Sequence, residues 1–112
     1  MNIRFVFRGM ESSGAIEKYV TEKNKKLERI LTREREPLNL EVILEAHPVH
    51  AQFAVELRLH AGDYHVRAQK EGTDIYGLID LVFDVLVQEI RQEKEKDITK
   101  RKGRVITKRK II

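Results

Sequence analysis

The chain has 112 residues, no cysteine, and a formal net charge of +4 from 22 basic and 18 acidic residues. That length supports one domain with a single core and no staples. The missing thiols exclude disulfides and thiolate metal sites and fit a reducing compartment. No apolar run approaches the roughly 20 residues of a membrane span and the start lacks a signal-peptide pattern, so the expectation is a soluble, cytoplasmic protein without a membrane partner.

Ile3, Phe5 and Phe7 alternate with Arg4, Val6 and Arg8, the period-2 pattern of a half-buried strand. Gly9 to Gly14 breaks the pattern, and Ser13 is placed to cap a helix with Glu17 in its first turn. That helix puts Ile16, Val20, Leu27 and Leu31 on one face, with Tyr19 and Ile30 at its margin. Its polar side carries Lys18, Lys23, Lys25, Lys26 and Arg29, interrupted by Glu22 and Glu28. Thr32 to Pro37 reads as a charged loop, and Pro37 keeps the helix from running on.

Leu40, Val42 and Leu44 alternate with Glu41, Ile43 and Glu45, a second strand. After a turn over residues 46–50, Phe53, Val55, Leu57 and Leu59 alternate with Ala54, Glu56, Arg58 and His60. Ala61-Gly62-Asp63 is a short hairpin connection, and Tyr64 to Gln69 returns as a fourth strand.

Gly72 and Thr73 end the strands, and Thr73 or Asp74 can cap a second helix. Apolar residues at 75, 78, 79, 82, 86 and 90 have helical spacing, while Gly77, Asp80, Asp84, Gln88 and Arg91 form one polar stripe. Leu81, Val85 and Val87 widen the apolar arc, as suits a helix that touches both a sheet and another helix.

The order is therefore β-α-β-β-β-α, an α+β fold with a four-stranded mixed sheet. Two helices with one broad apolar face each can cover only one side of it. The first crossover should be parallel and right-handed and the later connections hairpins. The covered face should bury Phe5, Val42, Leu57, Ile79, Val82 and Leu86, and the charged outer face should be wet. Beyond Asp97 the periodicity fades, so residues 1–97 are expected to form the domain and 98–112 a basic, flexible tail.

Seven of the basic residues lie in 98–112 and no acids do, which leaves fifteen basic against eighteen acidic residues, a net of −3, in 1–97. A basic tail commonly meets a polyanion, though a merely solubilising end has the same composition.

Catalysis would need a nucleophile beside a base, or paired carboxylates in a cleft. The two serines fall together in the cap region, and the four histidines lie in loops or on the wet face. His47 and His50 have a chelating spacing, but two ligands without a third make a weak metal site, and a solvated pair beside a proline is the better reading. No phosphate-cradling glycine motif occurs. An enzyme is not expected, and neither a catalytic residue, a metal, a cofactor nor a small-molecule substrate is assigned.

Binding remains. Lys23, Lys26 and Arg29 fall near one side of the first helix, and Lys94 and Lys96 end the second, directly before Lys100, Arg101, Lys102 and Arg104. Phosphate contacts need positive charge along a surface and little else, so these nine residues are the candidate contacts. For the first helix alone a solvated face accounts for the same charges. The lack of Trp, and of Phe or Tyr on the outer sheet face, argues against a base-stacking sheet platform.

The element order and the segment Glu71-Gly72-Thr73-Asp74-Ile75-Tyr76…Ile79-Asp80 resemble the ribosome hibernation promoting factor family, also called the ribosome-associated inhibitor or sigma-modulation family. Ala15-Ile16…Val20…Lys23…Lys26-Leu27-Glu28 is similar to the family's first helix, and the resemblance covers about residues 3 to 97. It implies a double-stranded-RNA-binding-like domain that binds the small ribosomal subunit and its rRNA in the channel of messenger RNA and transfer RNA anticodons. There it silences translation under starvation or stress. Long family members add a dimerising domain; this chain resembles either a short form or a truncated long one. Where the family carries basic residues on the second helix, this chain has Val85 and Gln88; Gln92 stands where Lys is common and Asn24 where Leu is common. Lys94 and Lys96 are retained. Either the tail supplies the missing charge, or the chain is a divergent protein-interaction module that does not bind rRNA. Self-association is left open.

Overall fold

In the computed structural model, residues 1–111 are described apart from Arg33, Arg35, Pro48 and His50, with side chains described through Lys96. The elements run β1 (Asn2–Arg8), α1 (Gly14–Ile30), β2 (Leu38–His47), β3 (Gln52–Ala61), β4 (Tyr64–Gly72) and α2 (Ile75–Ile111). This is the β-α-β-β-β-α order read from the periodicity. The second helix does not end at Lys94 and Lys96 as expected: α2 continues through Ile111, while the side chains beyond Lys96, and with them the contacts of the basic tail expected over 98–112, lie outside the described residues. The His47–His50 pair likewise includes a residue outside them.

The sheet is four-stranded and mixed, in the order β1-β2-β3-β4. β1 runs parallel to β2, and the other pairs are antiparallel. The register lines up Phe5, Val42, Leu57 and Ala68 across the strands, and one residue along it lines up Arg4, Glu41, Arg58 and Arg67. Since successive side chains alternate faces, the first row belongs to the helix side and the second to the outer side. At the end of β1, Gly9 takes φ +66°, and a Cβ there would lie 2.7 Å from the Ala46 carbonyl oxygen. Only glycine fits so close an approach of backbone to backbone.

α1 begins where Ser13 Oγ accepts the Ile16 amide at 3.2 Å, and it ends at Leu31, well before Pro37. For α2, the Leu78 amide bonds the Asp74 carbonyl at 2.9 Å, which makes Asp74 the cap residue. Gly77 leaves room for that cap, because a Cβ there would stand 2.8 Å from Asp74 Oδ2.

α2 lies across β3 and β4, and α1 packs beside it. Ile16, Val20, Leu27 and Leu31 of α1 join Ile79, Val82, Leu86 and Ile90 of α2 over Leu40, Val42, Leu44, Val55 and Leu57. Of the six residues expected to be buried, Val42, Leu57, Ile79, Val82 and Leu86 are fully so. Phe5 is only half-buried, because β1 is an edge strand with a neighbour on one side.

Two further expectations need correction. The outer face is not uniformly wet: Ile43, Ala54 and Glu56 are buried there, on the two inner strands where flanking side chains shield them from both sides. Leu81 does not extend the packed arc of α2; it stays 45% exposed, at the edge of the helix rather than over the sheet. No helix among the described residues is long and apolar enough to cross a membrane.

Candidate nucleic-acid interface

Helical spacing sends the polar residues of α1 away from the sheet, with Lys23 and Lys26 toward α2 and Arg29 more outward. Lys23 is already engaged. Its Nζ lies 2.9 Å from Asp80 Oδ1 on α2, and the Tyr19 hydroxyl donates to the same oxygen at 2.7 Å. Tyr76 packs edge-on against Tyr19 with centroids 5.0 Å apart, closing the end of this seam.

The titration behaviour follows from those contacts. Burial is the largest influence on Asp80 and pushes its carboxyl up, but the hydrogen bonds from Tyr19 and Lys23, with the lysine's charge, outweigh it and hold the group below its ordinary value. Lys23 is raised, first by the hydrogen bond to Asp80. Tyr19 is raised by its own bond to the same carboxylate.

Lys94 is engaged too. Its Nζ sits 2.8 Å from Glu34 Oε1 and donates to the Ile30 carbonyl at 3.2 Å. A cation at the last carbonyls of α1 satisfies groups the helix leaves open and meets the negative end of its dipole. This lysine therefore ties α2 to the C-terminus of α1. Lys96 is 67% exposed and makes only a loose 3.5 Å contact with Glu93, one turn back. Lys26 and Arg29 form no ion pair among the described residues. The side chains of Lys100, Arg101, Lys102 and Arg104 lie outside the described residues.

Of the five domain candidates, then, Lys26, Arg29 and Lys96 stand open to a partner, while Lys23 and Lys94 are held within the fold. The seam that brings Lys23 to Asp80 was legible only as a polar stripe on α2, since periodicity does not say which polar stripe faces which helix.

The strand pattern left a second charged region unassembled. On the outer sheet face, Arg4 lies 3.8 Å from Glu41, and Arg58 reaches Glu41 at 3.5 Å and Glu56 at 3.1 Å. Arg67 closes the chain on Glu56 at 2.8 Å. Charges of alternating sign at outward positions were the available signal; only the register across all four strands joins them.

The family described as Sigma 54 modulation protein / S30EA ribosomal protein matches residues 3–98. The chain belongs to this family. A ribosome hibernation promoting factor from Azotobacter vinelandii is 29% identical over 103 residues, which is 92% of each chain. The crystal structure of the Protein Y N-terminal domain from Thermus thermophilus superposes with a TM-score of 0.70 at 26% identity, covering 82% of this chain and 98% of that one. A ribosomal subunit interface protein from Coxiella burnetii shares the fold at a TM-score of 0.62 and 19% identity, over 84% of this chain and 99% of that one. The family read from the α1 and α2 segments is thus the one found.

Proposed function

We propose that this protein binds the small ribosomal subunit, in the channel used by messenger RNA and transfer RNA anticodons, and silences translation there under stress, in the cytoplasm. The observation that carries this reading is the family match over residues 3–98, joined by a relative of nearly equal length named as a ribosome hibernation promoting factor. It acts as a binding protein rather than an enzyme, with no cofactor. Among the candidate residues of the domain, Lys26, Arg29 and Lys96 are the open cations and meet rRNA phosphates first. Lys23 and Lys94 contribute only by exchanging Asp80 and Glu34 for phosphate. The tail over 98–112, with Lys100, Arg101, Lys102 and Arg104, supplies the charge that Val85 and Gln88 do not.

Sedimentation of purified ribosomes with this protein at two salt concentrations tests the reading. Co-migration with the small subunit that weakens steeply with salt is expected, because each phosphate neutralised releases counterions. One observation favours a second reading, a protein-interaction module: Tyr76 and Leu81 of α2 are large, apolar and 40% and 45% exposed. Absence of co-migration even at low salt would select that alternative.

A further inference from the structure

On the outer face of the sheet, on the side away from both helices, β3 and β4 set His60 opposite His65 and Arg58 opposite Arg67. The two imidazoles stack with centroids 4.0 Å apart and planes 25° off parallel. With Asn39 and Glu41 of β2, these four side chains line a cleft of about 330 Å³.

What fixes the arginines is Glu56, only 8% exposed beneath them. Its carboxylate accepts from Arg58 Nε at 3.1 Å and from Arg67 Nε at 3.0 Å, with a further Arg58 bond at 3.3 Å. A guanidinium has five N–H donors in a rigid fork. Glu56 therefore orients both forks and leaves donors over, chiefly on Arg67, whose side chain is 67% exposed. Arg4, Arg58 and Arg67 face only Glu41 and Glu56 in this network, so it keeps an excess of one positive charge. Beside it, His65 is exposed and has one ring face turned away from its stacked neighbour.

Oriented guanidinium donors next to an aromatic face suit two parts of one ligand class. Guanidinium forks take phosphate oxygens in pairs, and an open imidazole face takes a base. We propose that this cleft binds a nucleotide, its phosphate on Arg67 and Arg58 and its base stacked on His65, supplied free or as a unit of single-stranded RNA. The site stands on the opposite side of the sheet from Lys23, Lys26 and Arg29, and it does not rest on the ribosome-binding reading.

The test titrates the full chain with adenosine monophosphate, a short 5′-phosphorylated oligoadenylate and inorganic phosphate, following amide signals by NMR. Shifts should concentrate at residues 39, 58–60 and 65–67. His65→Ala should weaken nucleotide binding about tenfold, the scale of one lost stacking contact, and leave inorganic phosphate unaffected. Arg67→Gln should weaken nucleotide and phosphate alike by about tenfold, as loss of a charge-assisted bond does. His65 is exposed, so its variant keeps the melting temperature and reports on binding alone. Similar affinity for the mononucleotide and the oligonucleotide assigns a free nucleotide; a much tighter oligonucleotide assigns an RNA strand. The proposal is overturned by shifts lying on α1 instead, by no shifts, by inorganic phosphate binding as tightly as the nucleotide, or by unchanged binding in His65→Ala.

Discussion

The seam between the helices and the outer face of the sheet use the same residue types to opposite ends. In the seam, Asp80 and Glu34 neutralise Lys23 and Lys94, and each lysine is spent on holding one element to another. In the outer-face network two carboxylates, Glu41 and Glu56, meet three arginines, Arg4, Arg58 and Arg67, and Glu56 aims two of them outward. Basic residues counted along a sequence therefore overstate the surface available to an anion in one region and understate it in the other. What matters is which cations the fold leaves without a carboxylate.

The tail tests that lesson most severely, since it holds seven basic residues and no acids. If all seven reach phosphates, deleting 98–112 should flatten the log–log salt dependence of ribosome binding by up to about 5–6, at 0.7–0.9 per charge. The melting curve should hardly move, because the described core ends at Ile90. Full ribosome binding by the truncated chain would return the contacts to the domain itself.

Both regions hang on one core, and Leu86 is its fully buried centre on α2. Leu86→Ala should cost on the order of 2–5 kcal/mol in a denaturant or thermal melt, as large-to-small core changes do. An unchanged melt would mean that the covered face has been misplaced.

A sharper comparison lies within α1. Lys26 and Arg29 are unpaired among the described residues, whereas Lys23 is held by Asp80. Replacing Lys26 and Arg29 together by Gln should lower the salt slope of ribosome binding by about 1.4–1.8, two charges' worth. Lys23→Gln should lower it by less than the roughly 0.7–0.9 of one open cation, since that charge must first leave its carboxylate. Equal slopes for Lys23 and either open cation would show that the seam exerts no hold.

How much of this was legible beforehand follows from what a period can encode. The alternation from Leu40 to Glu45 and the spacing from Ile75 to Ile90 located the strands and helices, because a buried face repeats at the period of its element. Ser13 announced the start of α1 by its chemistry. Position within the sheet was not encoded: nothing local to Phe5 says that β1 is an edge strand, and nothing local to Ile43 says that its outward side is covered. The candidate site suffered most, because ion pairs such as Lys23–Asp80, 57 positions apart, exist only through tertiary packing. The same holds for Lys94 at the end of α1.

The smallest expected effect concerns Glu56, the carboxylate that distinguishes the outer face from the seam. Burial is the strongest influence on it and pushes the carboxyl up. Hydrogen bonds from Arg58 and Arg67, with their charges, overcome that and bring it below its ordinary 4.5. A carboxyl lower in the folded chain than in the unfolded one stabilises the fold fully above the unfolded value. That contribution fades as the pH falls through the folded value, where the native state takes up the proton as well. Stability measured by denaturant titration should therefore decline from about pH 4.5 downward in part through this one group. Glu56→Gln keeps the side chain's size but not its charge, so it should start lower at neutral pH and decline less steeply in acid. The two curves should converge toward the acid end, where Glu56 is protonated in both states. Parallel curves would show that the arginines do not depend on this charge, and the orientation of the outer face would need another source.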